Sequence, residues 1–282
     1  MRRFTTSAVT ERPFLGLLLL VELVAAVSLL THPFSHTRPS DGAPPAAMHA
    51  SLDVPTATTD PFVLQDGRTV SLMALGGTQT ADLDGRVLAE LDGAADAVTA
   101  FWGDDWPRNV VIVLTGTDEE FRALANGDSD IAAATTAQRI VFAPGASSMS
   151  DGSLRMVLRH ELFHYAARGR TAADAPRWLS EGVADFVGRP PTPMPGPAAA
   201  ADLARLPTDA DLDTPGAVRS LAYDRAWWFS RFVASRYGAE NLRRLYLAAC
   251  GTGHPDPATA IKQTLGADLT HLLVAWRAWL SG

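Results

Sequence analysis

The sequence of 282 residues predicts an α+β fold, in which a small mixed β-sheet in the N-terminal half is followed by an all-helical C-terminal half. In the first half, short runs are rich in β-branched residues, and the clearest, Asn109–Leu114, is typical of a buried strand. From Leu154 onward, apolar residues recur every three or four positions, which is the spacing of amphipathic helices. The formal net charge is −7 with no basic stripe, so no nucleic acid partner is expected.

Residues 1–31 are expected to act as a signal anchor or as a signal peptide. Arg2, Arg3 and Arg12 precede the apolar run Phe14–Leu30, and positive charge before such a run keeps the N-terminus in the cytoplasm. The run is short for a membrane span and long for the core of a signal peptide, so both alternatives stay open. An uncleaved N-terminal helix predicts a single-pass protein of the cell membrane with an extracytoplasmic domain, and cleavage predicts a secreted protein.

Residues 32–62 are rich in proline, alanine, serine and threonine, which is typical of a flexible linker, so the folded domain is expected at 63–282. Runs of β-branched residues and helical spacing of apolar residues define the elements of its first half. In chain order these are a strand at Thr69–Ala74, a helix at Asp82–Trp102, a strand at Asn109–Leu114, a helix at Asp118–Ala125, and strands at Ile131–Thr136 and Gln138–Ala143.

The second half is predicted to be helical throughout. Cys250 is the single cysteine, so no intrachain disulfide is expected. The predicted helices are Leu154–Ala167, Pro176–Phe186, a short piece near Ala200–Leu206, Leu221–Tyr237, Glu240–Cys250, Pro257–Leu265 and Leu269–Leu280.

The strongest chemical signal is the run H-E-L-F-H at His160–His164, which has the form H-E-x-x-H. On a helix, residues four apart share one face, so the two imidazoles can bind one metal ion. Glu161 lies close to the same face, where it can reach a water molecule that approaches the metal. The alternative is an amphipathic helix with two incidental histidines.

A second helix supplies a candidate third ligand, because zinc catalytic sites usually take three protein ligands. Glu181 is flanked by the apolar face of the helix predicted at Pro176–Phe186. Asp185 lies one turn further on, where a carboxylate can accept the free N–H of a ligand histidine and fix its orientation. The alternatives are a solvated helix glutamate and a surface aspartate.

The two motifs together, H-E-L-F-H and W-L-S-E-G-V-A-D, resemble those of the gluzincin metallopeptidases, the group that contains thermolysin and the aminopeptidase N-like enzymes. The E-G-x-A core is similar to the aminopeptidases, and the acid four residues after the glutamate is similar to thermolysin. In size the chain is similar to the small peptidase MA-like domains, and the resemblance covers roughly residue 82 to the C-terminus. It implies that Zn²⁺ is bound by His160, His164 and Glu181. It also implies that Glu161 is the general base and that Asp185 supports a ligand histidine.

The resemblance extends to two further features. Tyr223 falls where aminopeptidase N-like enzymes have a tyrosine that stabilises the oxyanion, although the following Asp224-Arg225-Ala226 lacks that family's Lys-Gly. A packed aromatic residue is the alternative. In gluzincins the edge strand of the sheet lies beside the zinc and pairs with the extended substrate, and Ile131–Thr136 is the candidate for that strand.

The sequence therefore predicts a zinc-dependent peptidase that acts on a peptide or protein substrate. One alternative is a catalytically inactive exported binding module on a gluzincin scaffold, and another is a zinc hydrolase of a non-peptide amide or ester. No segment similar to the G-x-M-E-N strand of aminopeptidases precedes His160, so an exopeptidase mode has no support from the sequence. The substrate and the oligomeric state are not predicted.

Overall fold

The structure is a computed structural model that describes residues 61–125 and 131–282. The segment 1–31 and nearly all of the predicted linker lie outside the described residues, so those two expectations stay predictions. Within the described ranges, no helix combines the length and the apolar character needed to cross a membrane.

In the described part of the chain, five strands form one mixed sheet. The inner pairings are parallel and each outer strand runs antiparallel to its neighbour, in the order β1-β2-β3-β5-β4. Helix α1 connects the parallel strands β2 and β3, and α2 lies between β3 and β4 in the chain. The bounds are β1 Phe62–Val63, β2 Thr69–Ala74, α1 Ala81–Trp102, β3 Asn109–Leu114, α2 Asp118–Ala125, β4 Ala133–Thr135 and β5 Ile140–Phe142.

After β5, the described chain consists of helices and the loops between them. The predicted order, a small sheet followed by a helical half, is therefore confirmed. The segment α6 was not predicted from the sequence, although Thr208 and Asp211 form a capping box at its start. The bounds are α3 Asp151–Ala167, α4 Arg177–Gly188, α5 Pro197–Leu203, α6 Asp209–Asp213, α7 Ala217–Tyr237, α8 Ala239–Cys250, α9 Pro257–Leu265 and α10 Leu269–Ser281.

Helix α3 is central to the fold because it packs against α1, α4 and the edge strand β4. Ser150 caps its N-terminus by accepting a bond from the backbone N–H of Ser153, which fixes where the helix begins. From Val157 on, buried residues occupy nearly every position of α3, since neighbouring elements cover it on several sides. Its histidines are therefore held inside the molecule and not on a solvated face.

Two glycines of α4 allow this helix to approach its neighbours closely. A Cβ at Gly182 would lie 2.4 Å from the carbonyl oxygen of Ala226 in α7, and one at Gly188 would lie 2.9 Å from the carbonyl oxygen of Met156 in α3. Neither distance is possible for a real Cβ contact, so any larger residue would push the helices apart. Gly182 follows Glu181 directly, so the close approach of α4 to α7 also fixes the position of that glutamate.

Candidate metal centre

The two histidines of the H-E-x-x-H run lie one turn apart on α3 and are both buried, with relative exposures of 0% for His160 and 4% for His164. Their Nε2 atoms are 3.1 Å apart. The alternative of incidental histidines on an amphipathic face does not describe them, since neither faces solvent.

Glu181 of α4 joins this pair. Its Oε2 lies 3.2 Å from Nε2 of His160 and 3.5 Å from Nε2 of His164. The atom is fully buried but accepts no hydrogen bond, so its approach to the two nitrogens is not explained by hydrogen bonding. In tetrahedral coordination with metal–ligand distances near 2.1 Å, two ligand atoms are about 3.4 Å apart. The three atoms therefore have the mutual spacing of the ligands of one zinc ion.

The charges of the site favour a cation at this point. The buried carboxylates of Glu161 and Glu181 have no arginine or lysine ion pair among the described residues, whereas Asp185 pairs with Arg189. Buried carboxylates in a region nearly closed to water are costly without a cation nearby, and a divalent ion bound between the imidazoles and Glu181 would supply that charge. Within the described ranges, His160, His164 and Glu181 are the one group of metal-binding side chains with this geometry.

The pKa values of the candidate ligands also favour a cation at this point. Burial lowers the pKa of His160, but its carboxylate neighbours Asp185 and Glu181 outweigh burial and raise it to about 10. Burial raises the pKa of Glu181, but the two imidazoles outweigh it and lower the value to about 2. Positive charge is thus favoured between these side chains, and a metal ion would compete with protons for the same place.

Asp185 supports His160 from the side opposite the proposed ion. Its Oδ1 lies 2.9 Å from Nδ1 of His160, so a bond from Nδ1–H to this carboxylate would leave Nε2, which faces Glu181, as the ring nitrogen for a metal ion. The other oxygen, Oδ2, pairs at 2.6 Å with Arg189, and that guanidinium also binds Asp224 of α7 at 2.7 Å. A chain of contacts therefore extends from the candidate ligand to the helix that carries Tyr223.

Glu161, the predicted general base, is 1% exposed and lies beside the edge strand β4. Oγ1 of Thr135 is 2.7 Å from its Oε2 and 2.9 Å from its main-chain oxygen. Burial raises the pKa of Glu161, and the two imidazoles and the bond from Thr135 act in the opposite direction. An elevated pKa suits a carboxylate that must accept a proton and later release it.

Tyr223 lies at the same site, with its ring centroid 6.5 Å from that of His160. Burial raises the pKa of Tyr223 well above its usual value, and the charges of Glu181 and Asp185 raise it further. The side chain is therefore a neutral phenol and a hydrogen-bond donor, and it bonds to Glu181. The structure thus brings Tyr223 into contact with the candidate metal ligands.

Two residues of the site were missed by the sequence reasoning. Thr135 ends a short strand predicted only as a possible edge, and nothing in its sequence context indicates a contact with Glu161. Arg189 follows Asp185 by one helical turn, a spacing that could have indicated the ion pair. Arg225, which follows Tyr223 by two residues, donates to the main-chain oxygen of Asp202.

Comparisons with known proteins give a likeness of fold. No model of a known protein family matches the sequence, and a search of curated proteins finds no match. Among solved structures, the chain is similar to a variant of a two-domain M1 zinc metallopeptidase bound to L-arginine, with 17% identity and a TM-score of 0.45. It is also similar to an M1 zinc metallopeptidase variant from Deinococcus radiodurans, with 20% identity and a TM-score of 0.43.

These alignments cover 79% and 78% of this chain but only 51% and 50% of the solved chains, so the protein spans about half the length of those relatives. M1 zinc metallopeptidases are a gluzincin family.

Proposed function

We propose that the protein is a zinc-dependent peptidase that uses the site of His160, Glu161, His164 and Glu181. The observation that carries the proposal is the triangle of ligand atoms with sides of 3.1, 3.2 and 3.5 Å, which would hold one zinc ion. When bound, zinc supplies a Lewis acid that polarises the scissile carbonyl and acidifies a water molecule.

The side chains around the triangle have the properties that the reaction needs. Glu161 takes a proton from the attacking water and delivers it to the leaving amine. Tyr223 donates its hydroxyl proton in a hydrogen bond to the carbonyl oxygen as negative charge develops there. Asp185 holds His160 in the tautomer that directs Nε2 toward Glu181, and Arg189 holds Asp185.

The edge strand supports a peptide as the substrate. Strand β4 is an edge strand, because among the described strands it pairs with β5 alone. It lies directly beside Glu161. An extended peptide could add to such an edge through main-chain hydrogen bonds. This arrangement favours a peptide over a small amide or ester.

Removal of the metal tests the function as a whole. We expect a strong chelator to abolish cleavage in a broad peptide library and zinc to restore it, because removal of the metal would remove the Lewis acid that polarises the carbonyl and acidifies the water. Cleavage is followed by mass spectrometry, and a parallel panel of amides and esters distinguishes a peptidase from another zinc hydrolase. Full zinc occupancy with no hydrolysis of any substrate would instead favour the binding module.

Substitution of Tyr223 by phenylalanine tests its assigned role. We expect kcat to fall on the order of a hundredfold with little change in KM, since one donor to the oxyanion is lost. Tyr165→Phe is the matched control, because its hydroxyl is also buried but donates to the main-chain oxygen of Asn109, outside the site. Equal activity of Tyr223→Phe and the wild type would exclude the role.

A further inference from the structure

Thr135 makes a contact with Glu161 for which the fold alone gives no reason. Its side chain is 3% exposed, in a strand whose other residues, Ala133 and Ala134, are apolar and buried. Valine has the same shape and a high strand propensity, so packing would be satisfied without a hydroxyl. A buried hydroxyl needs partners, and the two partners found are both atoms of Glu161.

Thr135 faces α3 because successive side chains of strand β4 point to opposite faces of the sheet. Ala134 belongs to the cluster on the opposite face of the sheet, with Val113 and Val141, whereas Ala133 belongs to the main core together with residues of α3. Thr135, two positions from Ala133, therefore points toward α3. The strand is fixed by the pairing of Thr135 with Ile140 and by the bond from the backbone N–H of Thr136 to the main-chain oxygen of Arg139.

A glutamate carboxylate needs such a partner if its orientation matters, because its terminal torsion has only a weak preference. The hydroxyl of Thr135 donates to Oε2 at 2.7 Å, which leaves Oε1 as the oxygen that can face a water molecule. The charged oxygen is the stronger acceptor, so this bond is favoured while Glu161 is ionised.

The second contact is to the main-chain oxygen of Glu161, 2.9 Å from the same hydroxyl. Both acceptors belong to Glu161, so the hydroxyl is held against this one residue, and its contact with the carboxylate is the shorter of the two.

We propose that Thr135 is a positioning residue for Glu161. Its hydroxyl holds Oε2, so that Oε1 is the oxygen that takes the proton from water and passes it to the leaving amine. This inference rests on the proposed function, since it assigns a role within the same hydrolytic site. It adds to the site a residue from the sheet, whereas the other functional side chains come from α3, α4 and α7.

The test compares Thr135→Val, which keeps the shape and removes the hydroxyl, with Thr135→Ser, which keeps the hydroxyl. We expect Thr135→Val to lower kcat at least about tenfold, part of the 10²–10⁴ that a general base contributes, with KM and zinc content unchanged. Thr135→Ser should retain most of the wild-type kcat. Thr115→Val is the matched control, because that buried hydroxyl donates to the main-chain oxygen of Phe142, outside the site, and its loss should not change kcat.

Three results would overturn the proposal: wild-type kcat in Thr135→Val, equal losses in the valine and serine variants, or a loss of zinc in proportion to activity. A double-mutant cycle of Thr135→Val and Glu161→Ala on the unfolding midpoint of the metal-free protein tests the contact without any turnover. Non-additive shifts support the bond even if the wild type proves to have no peptidase activity, and additive shifts overturn the proposal.

Discussion

Replacement of Glu161 by glutamine should lower kcat for peptide hydrolysis by about a hundredfold to ten-thousandfold, the range that a general base contributes. Glutamine has nearly the same shape and can still accept the bond from Thr135, but it cannot take a proton from water. Glu161 is not among the three candidate ligands, so zinc should remain bound in stoichiometric amount. Steady-state kinetics and elemental analysis of the same preparation measure both quantities.

The control for this variant is Glu119→Gln, which makes the same chemical change on α2 at a side chain that is 79% exposed. It should leave kcat and zinc content unchanged. If Glu161→Gln hydrolysed peptides at the wild-type rate, the assignment of the base would be wrong, and loss of zinc from this variant would indicate that Glu161 is itself a ligand.

Replacement of His164 by alanine should weaken zinc binding by more than about a hundredfold, since loss of a residue that merely supports a ligand already costs ten- to hundredfold. The variant retains only two of the three candidate ligands and leaves Glu181 without one of its two imidazole neighbours. Hydrolysis should be lost together with the metal. Competition with a chromophoric chelator measures the affinity, and the zinc-dependent rise in the unfolding midpoint gives a second reading.

His271→Ala is the matched control, because that imidazole is 84% exposed on α10 and pairs weakly with Asp268. Its zinc affinity should equal that of the wild type. Undiminished zinc binding in His164→Ala would contradict the ligand set, and Glu181→Ala should then be examined in the same assay.

The parts of the site that the sequence predicts are those fixed by helical geometry. His160 and His164 share a face because they are four residues apart, and Asp185 follows Glu181 by the same spacing. The predicted bounds of α2 and α9 agree with the structure, since clear turn residues flank both helices. The predicted bounds of β2 and β3 also agree. The last two strands are shorter than predicted: Ile131–Thr136 is reduced to Ala133–Thr135, and Gln138–Ala143 to Ile140–Phe142.

The contacts that the sequence does not predict are those made between distant elements. Thr135 precedes Glu161 by 26 residues, and only the packing of β4 against α3 brings the hydroxyl to the carboxylate. The close packing at Gly182 is likewise not predicted, because the sequence does not reveal that a Cβ there would collide with Ala226. Such contacts depend on how elements are arranged, which spacing along one helix does not specify.

Zinc-edge anomalous diffraction from crystals of the zinc-loaded protein is the most direct test of the account. We expect a single peak bonded to Nε2 of His160 and His164 at about 2.0–2.1 Å and to a carboxylate oxygen of Glu181 at about 2.0–2.2 Å. A protein that takes up no zinc, or one whose zinc lies away from these three side chains, would contradict the proposed centre and the chemistry assigned to it.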